Sequence, residues 1–222
     1  MIILLIDTCT ERGVVALFRD TELLFKEELP LGLQNSAVLL PTVAKGLDTA
    51  GLDASQLGLV VVGAGPGSYT GIRVGVAAAK AIAFAHQIPL IGVSTLNGLI
   101  SDKEEPYAAL IDAKIGGVYY QIGRRVNGQI EYFNEPALAT VEDLVSKMQG
   151  IKTVITPVAA ALKRRLDTVI SSCEWIENAP DTTQMVRVAL ERYVNGQYSL
   201  NGEVSILYLR KTQAEIEKEG NC

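Results

Sequence analysis

The sequence is short of the residues on which most enzyme chemistry draws. A single histidine, His86, stands among 222 residues. That count excludes any metal site built on a histidine pair and leaves one imidazole for every acid–base role. The three cysteines, Cys9, Cys173 and Cys222, are odd in number and share no ligand spacing, so neither a disulfide framework nor a zinc site is expected. A reducing cytoplasm suits them. No stretch approaches the roughly 18 uncharged apolar residues of a membrane span. The opening MIILLIDTCTE has no basic leader and meets an aspartate at position 7, so it reads as a first strand rather than a signal peptide. Positive charge is in deficit, with 20 Lys and Arg against 25 Asp and Glu and a net charge of -5. The basic clusters Arg124-Arg125, Lys163-Arg164-Arg165 and Arg210-Lys211 are short. Such a chain repels nucleic acid as a whole, and any RNA it works on is expected to be held by something else.

What is present is ordinary globular material, 48% hydrophobic and 20% charged. The first half reads as three strands beginning at Ile2, Val14 and Leu23, a helix from about Ser36 to Ala50, a buried strand ending at Gly63, and a long helix to about His86. The second half begins the same way. ALID at 109 to 112 echoes LLID at 4 to 7, and each leads through a loop into a returning apolar strand. This is an internal duplication of a β-β-β-α-β-α unit, with Asp7 and Asp112 at the ends of the two first strands. The expected class is α/β, with duplicated ribonuclease-H-like subdomains of the actin-like ATPase kind and mixed sheets. The expected division is an N-terminal subdomain over 1–104, a C-terminal subdomain over 105–210 and a charged tail over 211–222.

Between strand and helix lies GAGPGSYTGIRVG at 63 to 75, with five glycines in thirteen positions. A P-loop requires Gly-Lys-Ser/Thr after four intervening residues, and the spacing from Gly63 or Gly65 fails. The dinucleotide fingerprint fails too, because Ser68 stands where its third glycine belongs. What remains is a tight turn at Gly65-Pro66-Gly67 followed by helix N-cap candidates Ser68, Tyr69 and Thr70. The helix beyond carries only Arg73 and Lys80 as charges, so most of its circumference should be buried. Its small residues recur at helical spacing and leave a smooth stripe where another backbone can approach. The pattern alone leaves two readings open, packing on the chain's own sheet or a subunit interface. Arg73, a cation in the first turn, opposes the helix dipole and calls for an anionic neighbour in the chain or on a partner.

These residues carry a resemblance. GAGPGSYTGIRVG, with IDTCTERGVVAL before it, IPLIGVSTLNGL after it and IDAKIGGVYY in the second half, is similar to the TsaB family of bacterial tRNA threonylcarbamoyladenosine biosynthesis proteins. The match is continuous over about residues 1 to 124. The resemblance implies a non-catalytic subunit that pairs with its paralogue TsaD and works with the ATPase TsaE on adenosine 37 of tRNA. tRNA would be met only through the complex, and a homodimer would form when the chain is alone. It implies no cofactor or metal of its own, with ATP or ADP entering only within the complex. It also implies that the two N-terminal helices build the interface, for which the expected residues are Leu39, Val43 and Leu47 on the first helix and Gly71, Arg73, Gly75, Ala79 and Ala83 on the second. The chain departs from the family pattern at Asn35, where a histidine is usual, and around Leu207, where Leu207-Tyr208-Leu209-Arg210 lacks the proline of the family's Pro-x-Tyr-Leu-Arg segment.

The alternative is a stand-alone actin-like ATPase or phosphotransferase, with Asp7, Thr8, Thr10 and Asp112 as nucleotide contacts. Against it, Gly13, the one glycine of DTCTERG, falls too late for the backbone to wrap a phosphate. A catalytic metal held by His-x-x-x-His is impossible with one histidine. A Ser68–His86 peptidase pair would be separated by a helix of about 16 residues, about 24 Å, and Ser68–Lys80 by about three turns. His86 reads as a helix C-terminal residue favoured by the dipole.

Overall fold

A computed structural model describes residues 1–32, 35–114, 117–170, 172–207 and 209. The proposed tail 211–222, Arg210 and the side chain of Asn35 lie outside the described residues.

The first sheet is built from β1 (Ile2–Asp7), β2 (Val14–Arg19), β3 (Glu22–Glu28), β4 (Leu57–Gly63) and β5 (Leu90–Val93), in the order β3-β2-β1-β4-β5. The first three strands pair antiparallel, and β4 and β5 continue parallel to β1. The second sheet repeats this with β6 (Tyr107–Asp112), β7 (Val118–Val126), β8 (Gln129–Tyr132), β10 (Thr153–Thr156) and β11 (Glu174–Glu177), in the order β11-β10-β6-β7-β8. A short β9 (Ala137–Ala139) adds to β7. Taking β6, β7, β8, β10 and β11 as counterparts of β1 to β5, the two orders are the same. This is the duplicated ribonuclease-H-like arrangement expected from LLID and ALID, and Asp7 opposite Val14 corresponds to Asp112 opposite Val118.

The apolar runs of the first sheet are continuous because both faces are covered. Leu4, Ile6, Val15, Leu17, Val60 and Val62 point to one side, under α1 (Asn35–Ala50) and α2 (Tyr69–His86). Ile3, Leu5, Phe18, Leu59 and Val61 point to the other, where α5 (Thr182–Val194) brings Met185, Val186 and Ala189. A helix late in the chain therefore closes the first sheet, and Ser199 and Leu207 bond back to Leu90 and Ala64. The expected division at 104/105 is corrected accordingly. The first packing unit takes in residues 182–207, because the apolar face of α5 finds its cover on β1, β2 and β4. The second sheet packs α3 (Val141–Lys147) and α4 (Ala159–Ile170) on one face. Its other face meets Leu96 of the connecting turn at 95–98 and Leu99, which follows it.

Candidate functional site

The loops that follow β1 and β6 hold the four residues expected to touch nucleotide. Asp7 is fully buried, and one carboxylate oxygen accepts the Cys9 N–H at 2.8 Å while the other accepts the Thr95 hydroxyl at 2.7 Å. Burial pushes its pKa up, with these donors pulling the other way. Gly63 passes directly over it, where a Cβ would stand 2.3 Å from the carboxylate. Thr8 is 1% exposed and donates its hydroxyl to the Gly71 carbonyl at 2.6 Å. Thr10 is buried and accepts the Arg12 N–H at 3.3 Å. Asp112 also accepts an N–H two residues on, from Lys114 at 2.8 Å, but its carboxylate is paired with Arg165 of α4, which donates in addition to the Gly117 carbonyl. The expected set Asp7, Thr8, Thr10 and Asp112 is thus not brought together as an open phosphate cradle. The first three are spent inside the first unit, and the fourth is neutralised by a guanidinium.

The glycine-rich stretch explains why. A Cβ at Gly67 would lie 2.0 Å from the Cys9 carbonyl oxygen, at Gly71 2.1 Å from the Thr8 carbonyl oxygen, and at Gly75 2.5 Å from the Thr8 hydroxyl. The Ser68 N–H donates to Cys9 O at 2.7 Å, and the Ser68 hydroxyl caps α2 at Gly71 N. The loop after β1 therefore lies in the concavity that the glycines open at the start of α2. Gly65, at φ +100°, turns the chain so that its carbonyl accepts the Thr95 N–H at 2.8 Å. The thiol of Cys9 is fully buried and donates to Gly63 O, and burial beside Asp7 raises its pKa well above the ordinary value. Among the described residues no group of three or more His, Cys, Asp or Glu side chains could hold a metal ion, and no helix is long and apolar enough to cross a membrane.

The mouth between the two units carries ion pairs. Arg12 reaches Glu28 at 3.5 Å and Glu177, at the end of β11, at 3.9 Å, and Lys114 reaches Glu11 at 3.5 Å. These pairs are partly exposed and contribute little individually, and those of Arg12 with Glu177 and of Lys114 with Glu11 link the two units.

The expected interface is corrected as well. Leu39, Val43 and Leu47 are buried in the core under α1, and Gly75, Ala79 and Ala83 are buried on the inner side of α2. Gly71 turns its missing side chain toward Thr8. The smooth stripe faces the chain's own β1 and loop, where close approach to Thr8 requires small residues. Only Arg73 of the expected set is exposed, and its guanidinium lies 3.8 Å above the Tyr69 ring. The outer side of α2 is a different phase of the same helix. Tyr69, Arg73, Ala77, Ala81 and Phe84 follow one another at four, four, four and three residues, and all are exposed. Tyr69 is 51% and Phe84 75% exposed, and on neighbouring α1 Leu40 is 55% exposed beside Ala37 and Ala44. The four-residue recurrence of these positions was the available signal, masked by the glycines two residues out of phase on the opposite face.

Residues 34–218 match the family model described as TsaD, tRNA N6-adenosine threonylcarbamoyltransferase. The chain is 28% identical to the tRNA threonylcarbamoyladenosine biosynthesis protein TsaB of Escherichia coli (strain K12), over 96% of each chain. It is 33% identical to the protein of the same name from Bacillus subtilis (strain 168), a match that spans 59% of this chain and just over half, 58%, of that relative. Among solved structures, YeaZ from Pseudomonas aeruginosa superposes with a TM-score of 0.78 at 23% identity, covering 94% of this chain and 99% of that one. At that identity the likeness bears on the fold.

Proposed function

The chain belongs to the TsaB family, within the group matched by the TsaD family model, and from that premise we propose that it is a non-catalytic partner subunit in the formation of N6-threonylcarbamoyladenosine at adenosine 37 of tRNA. In this reading a TsaD-like paralogue carries the transfer chemistry in the cytoplasm and a TsaE-like ATPase works beside it. ATP or ADP and the tRNA then concern this chain only through the complex.

The observation that carries the reading is the outer face of α1 and α2. Leu40, Ala44, Ala77, Ala81 and Phe84 expose apolar surface on two adjacent helices, interrupted on α2 by Arg73 stacked on Tyr69. Large side chains at the ends of α2 and alanines between them suit a second pair of helices laid across the middle. A TsaD-like protein is the fitting occupant because the chain matches the TsaD family model itself, and paralogues with related folds can present equivalent helices. The disposition of Asp7 and Asp112, one roofed by Gly63 and the other paired with Arg165, supports the non-catalytic half of the reading.

Co-purification of the chain with the TsaD-like protein of its host tests this. A stable complex is expected. Failure of the two proteins to associate, or assembly of the outer face only with a second copy of the chain, would overturn it.

A further inference from the structure

At the free edge of the first sheet the chain returns to cover β5. Leu90 exchanges backbone hydrogen bonds with Ser199 at 2.9 and 3.0 Å, and the Leu207 N–H donates to Ala64 O at 2.8 Å. Between these two anchor points lies a cavity of about 660 Å³, walled by β5 on one side and by the returning segment on the other. None of Asp7, Thr8, Thr10 or Asp112 lines it.

Two cations enter it from opposite faces of the sheet. Lys80 comes from α2, where a Cβ added at Gly202 would stand 3.9 Å from its Cγ, and Arg192 comes from the last turn of α5, rounding the edge to donate to the Gly92 carbonyl. Neither has a carboxylate within salt-bridge distance among the described residues. Among the described residues Glu203 is the one acid in the lining, and Ser199, Ser205 and Gln197 add neutral polar groups. Two cations against one acid, neither paired with a carboxylate among the described residues, make a local field that favours an anion. The rest of the wall is apolar, and the Tyr198 ring in it is steadied by stacking on Tyr193 at 5.2 Å. The volume falls within the range of about 300–1,000 Å³ typical of small-molecule sites. A bare inorganic ion would leave most of it and the aromatic wall unused.

We propose that this cavity binds a small organic phosphate of mononucleotide size, with Lys80 and Arg192 holding the phosphate and Tyr198 offering its ring to the organic body. The site is independent of the docking face on α1 and α2 and needs no partner protein.

Calorimetric titration of the full chain with AMP, and separately with inorganic phosphate, tests it. Saturable AMP binding is expected, with inorganic phosphate at least tenfold weaker. Lys80→Gln should weaken AMP about tenfold, the loss of one charge-assisted hydrogen bond. Glu203→Gln should strengthen it. Opposite signs from two charge-removing variants cannot both come from a damaged fold, and thermal melting of each is read alongside. No saturable AMP binding, AMP binding that Lys80→Gln leaves unchanged, or inorganic phosphate binding as tightly as AMP would each overturn the proposal.

Discussion

The Thr8 hydroxyl donates to the Gly71 carbonyl at 2.6 Å and lies 2.5 Å from the point where a Gly75 Cβ would stand. One threonine thus fixes the loop after β1 against two turns of α2 and forbids a side chain at both. The first prediction follows from this contact. Gly75→Leu forces either the loop or the helix to move and should destabilise the fold by about 1 to 3 kcal/mol or more through overpacking. Gly71→Ala meets the Thr8 main-chain oxygen at 2.1 Å, so it should also destabilise despite the gain of about 1 kcal/mol in helix propensity. Urea unfolding reads both. Midpoints equal to that of the parent protein would mean the loop is not held by this contact.

Asp7 gives a prediction with a pH signature. Its folded pKa is raised from 3.8, chiefly by burial. Between the unfolded value and the raised folded value the native state holds a proton that the unfolded state has released. The stability linked to this group is therefore full below about pH 4 and is lost as pH rises through the folded pKa. Asp7→Asn removes that loss, and its hydrogen bonds can persist because the Thr95 hydroxyl can turn to accept from the amide. The stability of Asp7→Asn relative to the parent should accordingly grow as pH rises from about 4 and then level off. Asp7→Ala should be destabilised by about 1 to 3 kcal/mol, since it orphans the buried Cys9 N–H. Denaturation curves across pH check both, and a pH-independent difference for Asp7→Asn would count against a raised pKa.

How much of this was legible beforehand depended on whether a local pattern carried the information. The duplication showed in LLID and ALID because strand-end aspartates close an N–H two residues on, and Asp7–Cys9 and Asp112–Lys114 do this at the same 2.8 Å. Strands β9 and β11 were missed because three or four residues, all but Ala139 exposed or partly exposed, hold no period that stands out. The inward phase of the glycines was not readable from α2 alone. It depends on Thr8 and Cys9, some sixty residues earlier, entering the same space. The Arg165 partner of Asp112 and the Thr95 partner of Asp7 are likewise products of tertiary structure with no local mark.

The isolated chain should neither turn over ATP at an enzyme rate nor modify tRNA. The carboxylates that an actin-like ATPase would direct at a metal are here roofed by Gly63 and bound by Arg165. A coupled ATPase assay on purified chain checks the first half. Turnover that Asp112→Asn abolishes would show that the Arg165 pair opens and that the loop after β6 works as a phosphate site.

The outer face of α2 supports the most discriminating prediction, because the two phases of one helix separate folding from docking. Ala77 and Ala81 are exposed, so a charged side chain at either meets solvent in the free chain and should leave thermal melting within about 0.5 kcal/mol of the parent. In a complex built on this face the same charge would be desolvated between packed helices without a partner, which typically costs 2 kcal/mol or more, about thirtyfold or more in association. Ala81→Asp should therefore abolish co-purification with the TsaD-like protein while the fold melts as before. Gly75→Leu, two turns away on the inner phase, should lower melting first and lose binding only as a consequence. If Ala81→Asp bound the TsaD-like protein as tightly as the parent, the exposed alanine stripe would be ordinary surface and the partner would have to dock elsewhere.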